Sequence, residues 1–217
     1  MCTLTKAQRA LVMVVFLLGC LLSVGSRSRD IAIPQSDPVV MELHEGDLLF
    51  ITGKTWRSRI VQLATGKTSG YSHVGLVTMR EGEPYVIHAS PTPLQHEQNG
   101  SVRIEPITTF LSPESVVDGA VYRLISDPHG KAHTAVIIAE GFEIAHIGFD
   151  HHFDRSESDK LYCTELVWLA YRVAGLELLG EQSDAIDDII FPSQLSQSPY
   201  LTEIARFEVS TPSLWWR

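Results

Sequence analysis

The sequence predicts an α+β domain in which an antiparallel sheet is packed on a helix that begins at a cysteine. Two stretches carry that expectation. Ser69–Val77 and Tyr85–Ala89 are rich in β-branched and aromatic residues, and Arg80-Glu81-Gly82-Glu83-Pro84 between them has the polar, Gly and Pro signals of a turn joining antiparallel neighbours. Further on, the polar Asp159-Lys160 leads into Cys163, after which Leu166, Val167, Ala170 and Ala174 recur at helical spacing. Gly175 then stands where a left-handed cap ends a helix.

The remaining elements follow in chain order. Lys6 and Arg9 precede an apolar run from Ala10 to Val24, followed by Arg27-Ser28-Arg29-Asp30, which is the pattern of an export signal over residues 1–26. The run is short for a membrane span. Leu17-Leu18-Gly19-Cys20 resembles a lipobox, in which Cys20 is lipidated and attaches the chain to a membrane; cleavage after Ser26 is the competing outcome. A Pro- and Ser-punctuated linker occupies residues 27–43, and the globular domain spans 44–217. Within it Glu45-Gly46-Asp47 turns into a strand from Leu48 to Thr52, with Asp47 read as a turn residue. Trp56, Ile60, Leu63 and Ala64 mark a short helix, Val102–Glu105 and Ala120–Leu124 two strands, Ala132–Ile144 a helix, and Phe191–Leu195 a short helix with proline in its first turn.

Candidate chemistry centres on Cys163. A thiol in the first turn of a helix faces unpaired backbone N–H groups and the positive end of the helix dipole, which favour thiolate over thiol. A free cysteine is more often a small buried hydrophobe. Two observations weigh the other way. Of the chain's 3 cysteines, Cys2 leaves with a signal and Cys20 is removed or lipidated, so the exported domain keeps one thiol with nothing to pair with. In addition, a hairpin places His73 and His88 on adjacent strands, where His88 can hold one ring nitrogen of His73 while the other meets the thiol.

Gly46-Asp47-Leu48-Leu49-Phe50, then Ser72-His73-Val74-Gly75, then Tyr162-Cys163-Thr164-Glu165-Leu166-Val167, in that order, resemble the permuted papain-like (NlpC-type) hydrolases of the YiiX-like branch. Histidine ahead of cysteine is the order of this branch and of its lecithin-retinol acyltransferase relatives. The resemblance covers about Glu45 to Ala174. It implies a permuted papain-like fold, a Cys163 nucleophile, a His73 base, a third polar group at His88, and amide or peptide substrates. The backbone N–H groups of Tyr162 and Cys163 are the expected oxyanion donors. Gly148, Phe149, Asp150 and Phe153 resemble a pattern that precedes the cysteine in this branch, which implies structural and cleft-wall roles.

Composition bounds the alternatives. With 217 residues, 44% hydrophobic and 20% charged, the chain holds one ordinary domain plus its N-terminal segment, and a net charge of −9 opposes binding to a nucleic-acid backbone. Lys54, Arg57, Arg59 and Lys67 form a locally basic neighbourhood, read as a solvated face or a receiver of a substrate carboxylate. His146, His151, His152, Asp150 and Asp154 lack the i, i+4 helical spacing of a zinc motif, so no metal is expected there, and His151 and His152 are expected in solvent. Glu181–Asp188 reads as a solvated acidic stretch, and Trp215 and Trp216 as exposed, core or partner-binding residues. No phosphate-binding glycine loop, and hence no nucleotide cofactor, is indicated. The expected protein is an exported, periplasmic or membrane-attached hydrolase acting on a small peptide, amide or acyl substrate. A lipid-directed acyltransferase or thioesterase on the same residues, and a non-catalytic envelope-binding module, are the rival classes; no residue pattern specifies the substrate or the oligomeric state.

Overall fold

Strands of nearly continuous apolar sequence need cover on both faces, and that requirement organises the domain. The computed structural model describes residues 30–32, 40–54, 70–91, 100–153, 159–180 and 189–209. Asp30–Ala32 (β1) and Val40–Glu42 (β2) pair as a separate antiparallel ribbon. Leu48–Gly53 (β3), His73–Arg80 (β4), Glu83–Ser90 (β5), Ser101–Pro106 (β6), Val116–Leu124 (β7), Gly148–Phe149 (β8), Lys160–Leu161 (β9) and Leu201–Glu208 (β10) form one sheet in the order β10-β7-β3-β4-β5-β6-β8-β9. All neighbouring pairs are antiparallel except β8 with β9. The helices are Ile107–Phe110 (α1), Lys131–Ile144 (α2), Cys163–Val173 (α3) and Pro192–Ser196 (α4).

Alternation along the strands sorts side chains into two layers. Val74 and Leu76 of β4 and Ile87 and Ala89 of β5 join Ala135 and Phe142 of α2 and Cys163, Leu166 and Val167 of α3 in one buried cluster. Leu49, Ile51, Val77 and Val86 point the other way, into a second cluster with Ile107, Phe110 and Leu111. Helix α3 is buried from Cys163 through Tyr171, so it lies inside the domain rather than on its surface. Its end is capped as the sequence predicts, with Gly175 at φ 84°.

The β4–β5 connection is shorter than the whole polar stretch. Arg80 pairs with Glu83, and Glu81 and Gly82 make a two-residue turn with φ of 54° and 84°, the twist-matched hairpin type that needs two left-handed residues. Each expected strand and helix that falls on described residues is present. The helix around Trp56 to Ala64, with Arg57, Arg59 and Lys67, lies outside the described residues, as do the N-terminal apolar run with Cys2 and Cys20, Asp154, the acidic stretch 181–188, and Trp215 and Trp216. Among the described residues no helix is long and apolar enough to cross a membrane.

Asp47 does more than form a turn. It is fully buried and takes both arms of Arg123, Nε at 2.7 Å and Nη2 at 2.8 Å, while the backbone N–H of His44 donates to it at 2.8 Å. This carboxylate therefore ties the start of β3 to β7. Asp47→Ala leaves the His44 N–H without its acceptor and Arg123 with the Glu42 carbonyl that its Nη2 also reaches, and a loss on the order of 2–3 kcal/mol is expected because Arg123 is partly solvated and not stranded in the core. Chemical denaturation of the purified variant measures it.

Candidate active site

The β4–β5 hairpin fixes the two histidines. His73 opens β4 directly across from Ile51 of β3, and His88 lies near the end of β5 directly across from Arg103 of β6. Both fall on the face that carries Val77, Val86 and Phe110. The His73 Nε2 and His88 Nδ1 atoms are hydrogen-bonded at 2.8 Å, with the rings nearly perpendicular at 80°. Phe110 of α1 packs on both rings, at 5.7 Å from His73 and 5.0 Å from His88 between centroids. Burial, followed by the charges of His88 and Arg103, holds the His73 imidazole well below its usual range, so at neutral pH it is an uncharged base. Among the described residues no hydrogen bond reaches Nδ1 of His73.

Cys163 is the first residue of α3, with Tyr162 in extended conformation as its N-cap and no side-chain cap. The first helical bond is Leu166 N–H to the Tyr162 carbonyl, which leaves the N–H groups of the opening turn without helical acceptors. The thiolate-dominant expectation is corrected here. Burial pushes the Cys163 thiol up to about 11, against the opposing pull of backbone N–H groups of Val74, Thr164 and Cys163 itself. With 7% of its surface exposed, the sulfur loses more from lost hydration of its anion than those donors return. The resting group is a thiol.

Cys163 packs with Val74 and Leu76 on one face of β4, whereas alternation along the strand puts the His73 side chain on the other. N–H groups alternate between the two neighbours of a strand. Val77 N–H serves Asp47 on the β3 side, so that of Val74 is directed to the β5 side. The ladder pairing of β4 with β5 runs from Leu76–Ile87 to Arg80–Glu83. The backbone N–H of Val74, the residue after His73, is the first of the groups that oppose the rise of the Cys163 thiol. The hydrogen-bond donors at the sulfur are all backbone groups, and no bond to either imidazole is formed in this state.

One polar residue beyond the sequence-derived set belongs to the cluster. Glu105 of β6 places Oε1 3.2 Å from His88 Nε2, an ion-pair distance at which the N–H is not aligned well enough to make a full hydrogen bond. Burial alone would raise its carboxyl, but the contact with His88 and the charges of His88 and Arg103 hold it below the usual range. Its placement follows from the β5–β6 register, which pairs Val86 with Glu105 and puts Glu105 diagonal to His88. That register is set across the connection of residues 91–100, whose Pro91, Pro93 and Asn99-Gly100 mark a break without fixing which residues pair. Period-two alternation of Arg103 and Glu105 was the signal, and it marks a shared face without saying which residues share it.

The neighbouring segment has structural duties. Phe153, at φ 56°, stacks edge-on between Phe149 at 6.2 Å and Tyr162 at 5.4 Å, buttressing the residue ahead of the nucleophile position. Asp150 is fully buried and accepts the His152 N–H at 2.7 Å, and His151 and His152 are exposed as expected. Tyr162 Oη accepts the N–H of Ile190 at 3.0 Å, and Thr164 Oγ1 donates to the Ile190 carbonyl at 2.5 Å, so the segment before α4 is tied to the mouth of α3.

A sheet histidine that precedes, in the chain, a cysteine at the mouth of a buried helix is the arrangement of the permuted papain-like fold. The chain belongs to the family of permuted papain-like amidase enzymes, YaeF/YiiX, C92 family, whose model matches residues 42–205. It is similar to the "Uncharacterized protein YiiX" of Escherichia coli (strain K12), with 30% identity over 143 residues, 63% of this chain and 61% of that protein. The match therefore spans about three-fifths of the relative's length. In fold it is similar to the crystal structure of metalloprotein yiiX from Escherichia coli O157:H7, with a TM-score of 0.57 and 21% identity over 76% of this chain and 98% of that one.

Proposed function

We propose that this chain is an exported thiol-dependent hydrolase that cleaves amide or peptide bonds through Cys163, His73 and His88. The observation that carries the reading is the His73 Nε2–His88 Nδ1 bond at 2.8 Å on the strand whose Val74 and Leu76 pack in one buried cluster with Cys163 at the mouth of α3. His73 Nδ1 takes the thiol proton as sulfur attacks the substrate carbonyl, since thiol and imidazole are both neutral at rest. Backbone N–H groups of Tyr162 and Cys163 receive the oxyanion; each such donor is worth roughly 3 kcal/mol in comparable hydrolases. The C–N bond then breaks, His73 returns its proton to the departing amine, and a thioester on Cys163 remains. Water, deprotonated by His73, releases the acid and restores the thiol. The apolar run from Ala10 to Val24 behind Lys6 and Arg9 supports export, which makes cell-wall peptides or N-acyl compounds the plausible substrates.

The solved YiiX is described as a metalloprotein. Among the described residues of this chain no group of three or more His, Cys, Asp or Glu side chains could hold a metal ion.

Acid quench of the enzyme during turnover of an N-acyl amide substrate, followed by peptide mapping, tests the reading. An acyl group on Cys163 that disappears with hydroxylamine is expected. Its absence under turnover, or transfer of the acyl group to an added amine in preference to water, contradicts hydrolysis through a thioester.

A further inference from the structure

We propose that Glu105 is a positioning residue, the outer member of a Glu105–His88–His73 chain that decides which nitrogen of His73 carries the lone pair. The inference rests on the reading of His73 as the base, and it follows from counting hydrogens. A bond between two imidazole nitrogens needs one N–H and one lone pair. A carboxylate offers lone pairs only, so the His88 Nε2 that faces Glu105 at 3.2 Å carries the hydrogen. When His88 carries a single hydrogen, and that at Nε2, its lone pair is at Nδ1, the atom 2.8 Å from His73 Nε2. His73 Nε2 must supply the hydrogen of that bond, which leaves the lone pair of neutral His73 at Nδ1, facing away from His88.

Without the carboxylate the chain is free to run backwards. His88 would donate from Nδ1, His73 would accept at Nε2, and the hydrogen on His73 Nδ1 would end its use as a base. The two states have the same heavy-atom positions and opposite chemistry. The groups that bear on the choice are Glu105 and Arg103 from β6, His88 from β5 and His73 from β4, with Phe110 closing the face. Arg103 disfavours positive charge on His73, and Glu105 remains ionised at neutral pH, so the resting condition is a neutral His73 bonded to His88, with the Glu105 carboxylate on the far side of His88.

Nitrogen-15 NMR of the imidazoles in the ligand-free protein tests this, because ring-nitrogen shifts separate N–H from lone pair. In the wild type both His73 and His88 are expected as the Nε2–H form. In Glu105→Ala the Nδ1–H forms appear, kcat falls roughly tenfold to a hundredfold as for other supporting-shell losses, and KM stays within about twofold. Glu105→Gln, whose amide oxygen still offers lone pairs toward His88 Nε2, keeps the shape of the site and recovers most of the loss. Identical tautomers in wild type and Glu105→Ala overturn the proposal, as does a Glu105→Gln variant as impaired as Glu105→Ala. The NMR result needs no substrate, so it stands or falls separately from the absence of an acyl-enzyme, which would overturn the hydrolase reading instead.

Discussion

Cys163→Ala removes turnover, and His73→Gln lowers kcat/KM by about 10³-fold or more, with the double variant no worse than the worse single one. These are the largest effects expected. The reason for the equality is that nucleophile and base act as a unit. Without the thiol there is no covalent intermediate for His73 to serve, and without the imidazole a thiol held up to about 11 has no acceptor for its proton at neutral pH. His88→Ala is milder, because it loosens the His73 ring without removing the base; a drop of roughly tenfold to a hundredfold is expected. Steady-state kinetics on a chromogenic N-acyl amide measure all four. A His73→Gln enzyme within tenfold of wild type would mean that some other group takes the proton.

The second large effect is in the pH dependence of the free thiol. An unperturbed cysteine is a few per cent thiolate at pH 7, whereas one pushed up to about 11 has a thiolate fraction lower on the order of 10²-fold. The more basic thiolate is the better nucleophile, which recovers about tenfold. Iodoacetamide is therefore expected to alkylate Cys163 at pH 7 about tenfold more slowly than free cysteine, with the rate rising toward pH 11. An inflection at or below pH 7 would show a pre-formed thiolate instead. The base moves oppositely. Because burial holds His73 well below its usual range, the acid limb of kcat/KM lies below pH 6.5. The same depression costs stability in acid. Unfolded His73 binds a proton below about pH 6.5 while folded His73 does not, so stability is lost as pH falls from there toward the folded value. The slope is at most about 1.4 kcal/mol per pH unit from this group, and His73→Gln removes it.

The site was legible wherever local sequence sets position. Cys163 at a helix start, Gly175 at its end and the Glu81-Gly82 turn are dictated by neighbours in the chain, and so is the hairpin that joins His73 to His88. Order along the chain supplied the permuted fold. What local pattern could not supply was depth and register. The thiol looked activated because the helix mouth is visible in sequence and the burial of its sulfur beside Val74 is not. Asp47 read as a turn residue because Arg123 lies 76 positions away. Glu105 was a strand residue without a partner until the β5–β6 register aligned it with His88. In each case the missing fact is a long-range contact that changes what a correctly placed residue does.

The most direct test is labelling of the full-length protein at pH 7 with a panel of electrophilic amide and ester probes, followed by mapping of the modified residue in wild type and His73→Gln. If the His73 imidazole serves the Cys163 sulfur, the label lies on Cys163 and is lost in the variant. Label on another residue, or on Cys163 to the same extent in both proteins, would separate the thiol from the histidines and remove the proposed mechanism.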